Sequence, residues 1–302
     1  MIGQTRADRA FEAINLALVL LVTFLVLYPL IFVVSASISH PDYVNTGRVY
    51  LWPREVSLGG YTDVVREPRV WTGYRNTILY VAVDVAVSVI VIIGAGYALS
   101  RPERLKGSRA FTFFFTFTML FSGGLIPLYL LLKSLGMINT VWALTLPQAA
   151  TVFHIIITRT FFQTGIPDSL YDAAEIDGAS FSQTFFRVAL PLSTAIIAVI
   201  ALFKGVFQWN SFFAPLVFIT DQDRAPLQIV LRNLLLANQE IASSTDMSSL
   251  SPEAMEEMGK RALQAEQMKY SLIVVASFPV LMVYPFLQRF FIKGVMLGSI
   301  KG

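Results

Sequence analysis

The chain contains no cysteine, which removes disulfides, thiolate metal centres and catalytic thiols together. Histidine is almost as scarce: His40 and His154 stand far apart, without the close spacing of a ligand pair, so no metal site is expected. Charge is the third shortage. Asp, Glu, Lys and Arg make up 14% of the 302 residues, where a soluble domain carries about a quarter. No Gly-Lys-Ser or Gly-Lys-Thr occurs, and Gly259-Lys260 runs on into Arg261, so the chain lacks the glycine-rich loop that cradles phosphate. No serine sits in a nucleophile-elbow pattern. Neither enzyme chemistry nor a bound cofactor is expected of this chain, and nothing in it points to nucleic acid.

Hydrophobic residues supply 55% of the sequence instead. A hydrocarbon core is crossed by about 20 apolar residues in helix, and six runs meet that length, at about 14–36, 76–99, 111–132, 141–162, 192–209 and 270–291. The expected fold is an all-α polytopic membrane protein, a single transmembrane domain over residues 1–302 in contact with lipid throughout. The first run is long enough to span, and no small-residue cleavage site follows it, so it reads as a span rather than a signal peptide. Pro29 within it can kink a membrane helix without breaking the span. Basic residues near the spans divide evenly between the two sides, but most on one side lie in long loops, which translocate largely regardless of charge. Arg101, Arg104, Lys106 and Arg109 crowd one short turn and decide the orientation: that turn, both termini and the 168–192 stretch are expected in the cytoplasm.

That stretch is a charged island of four acids, Asp168, Asp172, Glu175 and Asp177 in quick succession. Ser169 with Asp172 reads as a capping box, and Gly178 stands where a left-handed residue would end the helix. Ser180 with Gln183 reads as a second capping box, opening a helix through Phe185 and Phe186 to Leu190-Pro191. The series Asp172-Ala173-Ala174, then Gly178, then Leu190-Pro191 resembles the cytoplasmic coupling motif of ABC-importer permeases, with Asp172 in place of the family's usual Glu. The alternative is an ordinary solvated loop between helices.

The resemblance extends along nearly the whole chain. Asp8-Arg9-Ala10-Phe11, Tyr28-Pro29-Leu30, Ser35-Ala36-Ser37, Gly123-Gly124-Leu125-Ile126-Pro127, Leu135-Gly136-Met137-Ile138-Asn139-Thr140, Trp209-Asn210 and Tyr284-Pro285-Phe286 look like the carbohydrate-uptake permeases, in particular the LplC/YtcP-like branch that handles complex oligosaccharides; an alginate-importer permease is similar. The resemblance implies a binding-protein-dependent ABC importer fold in a bacterial inner membrane. Its partners would be a second permease subunit, a cytoplasmic ATPase dimer that binds ATP and Mg, and an external solute-binding protein. By the same resemblance Asp172, Ala173, Ala174, Asp177 and Gly178 form the seat for the ATPases, with Leu170 and Tyr171 as apolar anchors, and the 289–302 tail lies against the same partners.

Two ionisable residues fall well inside spans, Asp84 and Lys204. Burying a charge in lipid costs roughly 2.5–3.5 kcal/mol or more, so each is a functional suspect. Lys204 either pairs with Asp84, snorkels outward, or lines a cavity, where a cation would suit an acidic saccharide such as an alginate or pectin fragment. Gln208, Trp209 and Asn210 combine a ring that can stack on a sugar face with amides that can bond its hydroxyls, though Trp209 alone fits an interfacial aromatic belt equally. The apolar piece 208–218 is too short to span and is expected to fold back into the outer membrane face. Residues 210–269 then form an external excursion with a polar helix over 251–268. Phe113, Phe114, Phe115, Phe117 and Phe121 read as lipid or packing contacts, and Arg48, Arg54, Arg66 and Arg69 as a solvated loop or a docking face for the binding protein. Two rival readings stand beside the importer: an ion-coupled secondary transporter, which would need membrane acids or half-helix ion sites in related halves, and a non-transporting membrane scaffold.

Overall fold

Pro and Gly mark most of the places where the apolar runs turn. In the computed structural model residues 6–243 and 267–283 are described, with Gly259, Ala265 and Pro285 besides. Helices α1 (Arg6–Ser37) and α4 (Pro68–Ser100) run unbroken, Pro29 included. The polar segment between them carries the short helices α2 (Pro41–Asn45) and α3 (Gly59–Arg66). After α4 come α5 (Ser108–Leu120), α6 (Leu125–Ser134), α7 (Val141–Ala149), α8 (Val152–Thr164) and α9 (Asp168–Ile176). Next, α10 (Phe181–Thr184) widens into a π-helical turn over Phe185–Ala189 and runs into α11 (Leu190–Leu192). The wide turn falls just ahead of Pro191, whose ring crowds the carbonyl one turn back. The series closes with α12 (Thr194–Trp209), α13 (Phe213–Phe218), α14 (Leu227–Ser243) and α15 (Gln267–Val283). Among the described residues there is no strand, only an isolated bridge between Ser39 and Val56.

Three of the expected spans are not straight. Residues 111–132 divide into α5 and α6, which meet at 113°, instead of forming one helix. Gly124 holds φ 84°, ψ 176°, a backbone region essentially reserved for glycine. The fourth span breaks by 50° between α7 and α8, where Ala150 leaves the helical region at φ −100°, ψ 54°. The fifth begins with a 76° bend at Ser193. Counting each bent pair as one, length and composition allow up to five spans among the described residues. Of the expected sixth, α15 is described as far as Val283; its remainder, nearly all of the 251–268 helix, and the 289–302 tail lie outside the described residues.

The described residues fall into two compact units, one drawn from Met1–Val70 and Leu231–Phe278, the other from Trp71–Val230 and Pro279–Gly302. In the first, Ala36, Val44 and Val49 are buried with Phe32, Tyr43 and Tyr270 against them. Buried serines at 35, 37 and 39 hold the end of α1: Ser35 donates to the Leu51 carbonyl, Ser39 to that of Ser35, and Gln267 Nε2 reaches the carbonyls of Ser39 and Ser57. The apolar residues of α1 from Phe11 to Leu30 are exposed, as suits a lipid-facing segment.

The second unit has two apolar clusters. One joins Ile92, Tyr97 and Leu99 of α4 to Ile155 and Phe162 of α8, Tyr171 of α9, and Ile196 and Ile200 of α12. The other joins Tyr80, Leu132, Ala143 and Leu144 to Phe218 and Ile219. The second packs α13 against α7 through Pro215 and Phe218, while Phe212, Phe213 and Leu216 stay exposed. Asn139 secures α13: its Oδ1 accepts from the Thr220 and Asp221 amides at 2.6 and 3.0 Å, and its own N–H donates to the Phe218 carbonyl.

Helices α4 and α8 approach closely at Gly96. A Cβ there would stand 2.5 Å from Thr158 Cγ2 and 3.1 Å from the Arg159 amide nitrogen. Thr158 is wholly buried and β-branched, so it cannot swing aside. Gly96→Ala is therefore expected to cost about 1–3 kcal/mol of overpacking, read as a lower melting temperature of the detergent-purified protein. An unchanged melting temperature would show that the two helices can part without cost.

Candidate functional site

Helix α9 lies between two arms of the second unit. Only Gly165-Ile166-Pro167 separate it from α8, and Asp177 to Ser180 lead on to α10. Pro167 takes the N-cap position, so the helix starts at Asp168 and Ser169 falls inside it. The capping box expected at Ser169 is not formed. The other local signals hold. Gly178 has φ +75°, its N–H donates to the Glu175 carbonyl, and Ala179 donates to Ala174; this is the Schellman closure of a helix. Ser180 and Gln183 form the reciprocal capping box.

At the 3.6-residue period, Tyr171 and Ala174 share one side of α9, and both are buried. The Tyr171 ring packs beside Tyr97, and the Arg101 guanidinium lies over it, 3.6 Å from its centre. Burial pushes the Tyr171 hydroxyl above the ordinary phenol range, so it stays protonated. Tyr171 is thus an anchor of α9 to its own chain, where the sequence suggested an anchor for a partner. Arg101 Nη1 also pairs with Asp168 Oδ1 at 3.0 Å, in the first turn where an acid complements the helix dipole, and Arg104 pairs with Glu175. The basic turn read only for orientation is the clamp on the acidic helix. Opposite charge in the two stretches was the available signal. Between turn and helix lies an open polar cleft of about 500 Å³, lined by Arg101, Arg104, Asp172, Glu175 and Ser180 among others.

The other side of α9 faces outward. Ala173 and Ile176 are exposed there, Ile176 to 86%, with Asp172 exposed at the border with the cleft, Leu170 on the other flank, and Asp177 and Gly178 at the end. Sequence reading missed Ile176. The result is a short helix fixed along one side and presenting an apolar residue beside an acid on the other.

Deep in the same unit, Lys204 of α12 and Asp84 of α4 are 2% and 0% exposed, with Nζ 3.3 Å from Asp84 Oδ2. The ammonium also donates to the Gln148 carbonyl at 3.0 Å and lies 5.6 Å from the Phe207 ring centre. Ser88 donates to the other carboxylate oxygen at 3.4 Å. Of the pathway candidates, Gln208 and Trp209 are buried, and Tyr74 lies 6.1 Å from the Trp209 ring. Asn210 is exposed and its amide donates back to the Val206 carbonyl, capping α12. Beside Trp209 and Gly205 is an apolar cavity of about 610 Å³. The structure therefore does not bring Lys204 and Asn210 into one polar site.

No family model matches the chain. Two Bacillus subtilis (strain 168) proteins resemble it end to end. The polygalacturonan/rhamnogalacturonan transport system permease protein YtcP is 36% identical, over 98% of this chain and 99% of its own. Protein LplC is also 36% identical, over 99% and 97%. Among solved structures, a chain of a bacterial ABC transporter involved in the import of the acidic polysaccharide alginate superposes with TM-score 0.83 at 32% identity, over 96% of this chain and 100% of that one. The chain belongs to the carbohydrate-uptake permeases of ABC importers.

Membership in this family sets aside the ion-coupled carrier and the scaffold. The permease's α9 carries the motif's Asp172-Ala173-Ala174, and Gly178 closes it. Its inner side is fixed by Tyr171 and Arg101, and its outer side is exposed.

Proposed function

We propose that this permease is one of two membrane subunits of an ATP-driven importer for acidic oligosaccharides, the carboxyl-side type of the pair. An external binding protein delivers the saccharide to a cavity shared with the second permease. ATP and Mg act on a cytoplasmic ATPase dimer, and this chain contributes no catalytic group. The chain lies in a bacterial inner membrane with both termini cytoplasmic, on the strength of the basic 101–109 turn, whose Arg101 and Arg104 also hold α9. The observation that carries the reading is α9 itself, clamped on one side while Ala173 and Ile176 stand exposed on the other. ATPase closure acting on that face would rock the attached arms α8 and α12.

The acidic substrate class is supported by relatives named for polygalacturonan and alginate. Lys204 supports it less than its sequence position suggested. Its ammonium is already engaged by Asp84 and Gln148, so it lines a pathway only if that pair opens. Gln208, Trp209 and Asn210 remain the proposed contacts for sugar. The test is ATPase activity of the purified complex with its binding protein, across neutral and uronate oligomers. Stimulation by galacturonate or alginate oligomers is expected. Stimulation by neutral oligosaccharides alone would discard the acidic substrate and leave the importer.

A further inference from the structure

The break in the fourth span leaves a backbone acceptor without a helical donor. Helix α7 ends at Ala149 and α8 restarts at Val152, 50° away, so the Gln148 carbonyl lies in a last helical turn that lacks continuing donors. Two groups satisfy it. Thr151 Oγ1 donates at 2.8 Å from the break itself, and Lys204 Nζ donates at 3.0 Å from α12. Lys204 is in turn referenced to α4 by its pair with Asp84. Three helical segments therefore meet at one ammonium, and the segment it grips is the point where the fourth span has lost its helical continuity.

That point has a particular place in the chain. From the break, α8 leads to α9, a length of about 20 Å for 13 residues. From the other end of α9, the chain returns through α10 and α11 to α12, which carries Lys204. The segment from Gln148 to Lys204 is thus a two-armed loop with α9 at its tip and the Lys204–Gln148 bond across its open end. If α9 is pushed, α8 can either carry the displacement into the span or swivel at the Ala150-Thr151 break and dissipate it. The ammonium bond closes the second route.

We propose that Lys204, fixed by Asp84, is a positioning residue for transport: it locks the break in the fourth span so that displacement of α9 moves α7, α8, α12 and α4 together. The assignment rests on α9 being the coupling element. Stability alone is a poor account of the pair. A buried ion pair is often no more stabilising than apolar residues of the same volume, whereas removing one partner strands a charge. Its value lies in the carbonyl it holds, which an apolar pair could not hold.

The decisive variant is Asp84→Leu/Lys204→Met in the full importer with its binding protein. It strands no charge, keeps the branched shape at position 84 and an unbranched side chain one atom shorter at position 204, and leaves Gln148 the Thr151 hydroxyl as donor. The complex is expected to assemble in wild-type amount and to hydrolyse ATP at the basal rate. Stimulation by loaded binding protein should disappear, and saccharide moved per ATP should fall at least about tenfold, within the usual range of coupling between sites. Asp84→Asn, nearly isosteric, provides a second measurement if the double variant fails to assemble, with the stimulation ratio reduced about fivefold or more on the same scale. Wild-type stimulation and transport ratio in an assembled variant would overturn the lock and leave α9 as the coupling element. Lack of stimulation in the wild-type complex would overturn the coupling reading itself, and the lock with it.

Discussion

Ile176→Asp is expected to reduce saccharide uptake about thirtyfold or more while leaving the amount of permease in the membrane unchanged. The side chain is 86% exposed and lies opposite the buried Tyr171 and Ala174, so its loss removes little from the fold. Exposed substitutions of this kind usually stay within about ±0.5 kcal/mol of wild type. At an interface the arithmetic differs. Truncating a hot-spot residue, one of the few buried at the centre of an interface, costs about 2 kcal/mol or more, a factor of about thirty at 1.4 kcal/mol per tenfold. An aspartate there adds a desolvation cost, and it would join Asp172, Glu175 and Asp177 on a short helix already rich in acid. The measurements are uptake by membrane vesicles and recovery of the ATPase with affinity-purified permease, with Ile176→Ala expected between the two extremes. Wild-type uptake and full ATPase recovery from Ile176→Asp would remove the outward side of α9 as the seat.

How much of this was legible depended on whether the deciding interaction was local. Gly178 and the Ser180–Gln183 box were readable because a left-handed turn and a reciprocal cap involve neighbours a few residues apart. The box at Ser169 failed for an equally local reason: Pro167, fixed in φ and lacking an N–H, took the cap position two residues earlier. The Gly123-Gly124 pair stood out in the sequence, but a 113° corner in an otherwise apolar run of sufficient length has no signature in hydropathy, which counts residues and not direction. Tertiary pairings were only half visible. Asp84 and Lys204 announced themselves as charges in grease, and their pairing was one of the readings open. Gln148 could not be read, because what matters there is a backbone carbonyl, which every residue has. Ile176 was overlooked because the motif draws attention to Ala173, Ala174 and Gly178, and because exposure is decided by which side Tyr171 buries.

The same division explains why the acids of α9 play two parts. Asp168 and Glu175 are turned to the clamp and paired with Arg101 and Arg104, while Asp172 lines the cleft and stays open to a partner. The charge island therefore serves both to attach the helix and to present it. A sequence pattern that counts acids cannot separate those uses, but the position of each around the helix does.

Arg101→Lys is expected to lose most transport although it keeps the charge, and Asp168→Ala to lose little although it removes the partner carboxylate. The reason is where each group lies. Asp168 is 75% exposed, and an ion pair with one partner so open to water contributes about 0–1 kcal/mol. Arg101 is only 17% exposed, with its guanidinium flat over the buried Tyr171 ring at 3.6 Å. A planar cation over an aromatic face gains about 0.5–2 kcal/mol as water is excluded, and that stacking depends on the flat guanidinium, which lysine lacks. With lysine, the Tyr171 anchor loses its cover and α9 can tilt on its Gly165-Ile166-Pro167 hinge, so that push from a partner is absorbed before it reaches α8. Uptake is expected to fall about tenfold or more, within the usual span of coupling energies, with the ATPase still recovered alongside the permease because the outward face is untouched. That combination separates the clamp from the seat: Ile176→Asp loses the partner, whereas Arg101→Lys keeps the partner and loses the response. Equal uptake from Arg101→Lys and wild type would mean that charge alone holds the helix. In that case Asp168→Ala, paired with Arg104→Ala to remove the second link, should be the variant that fails.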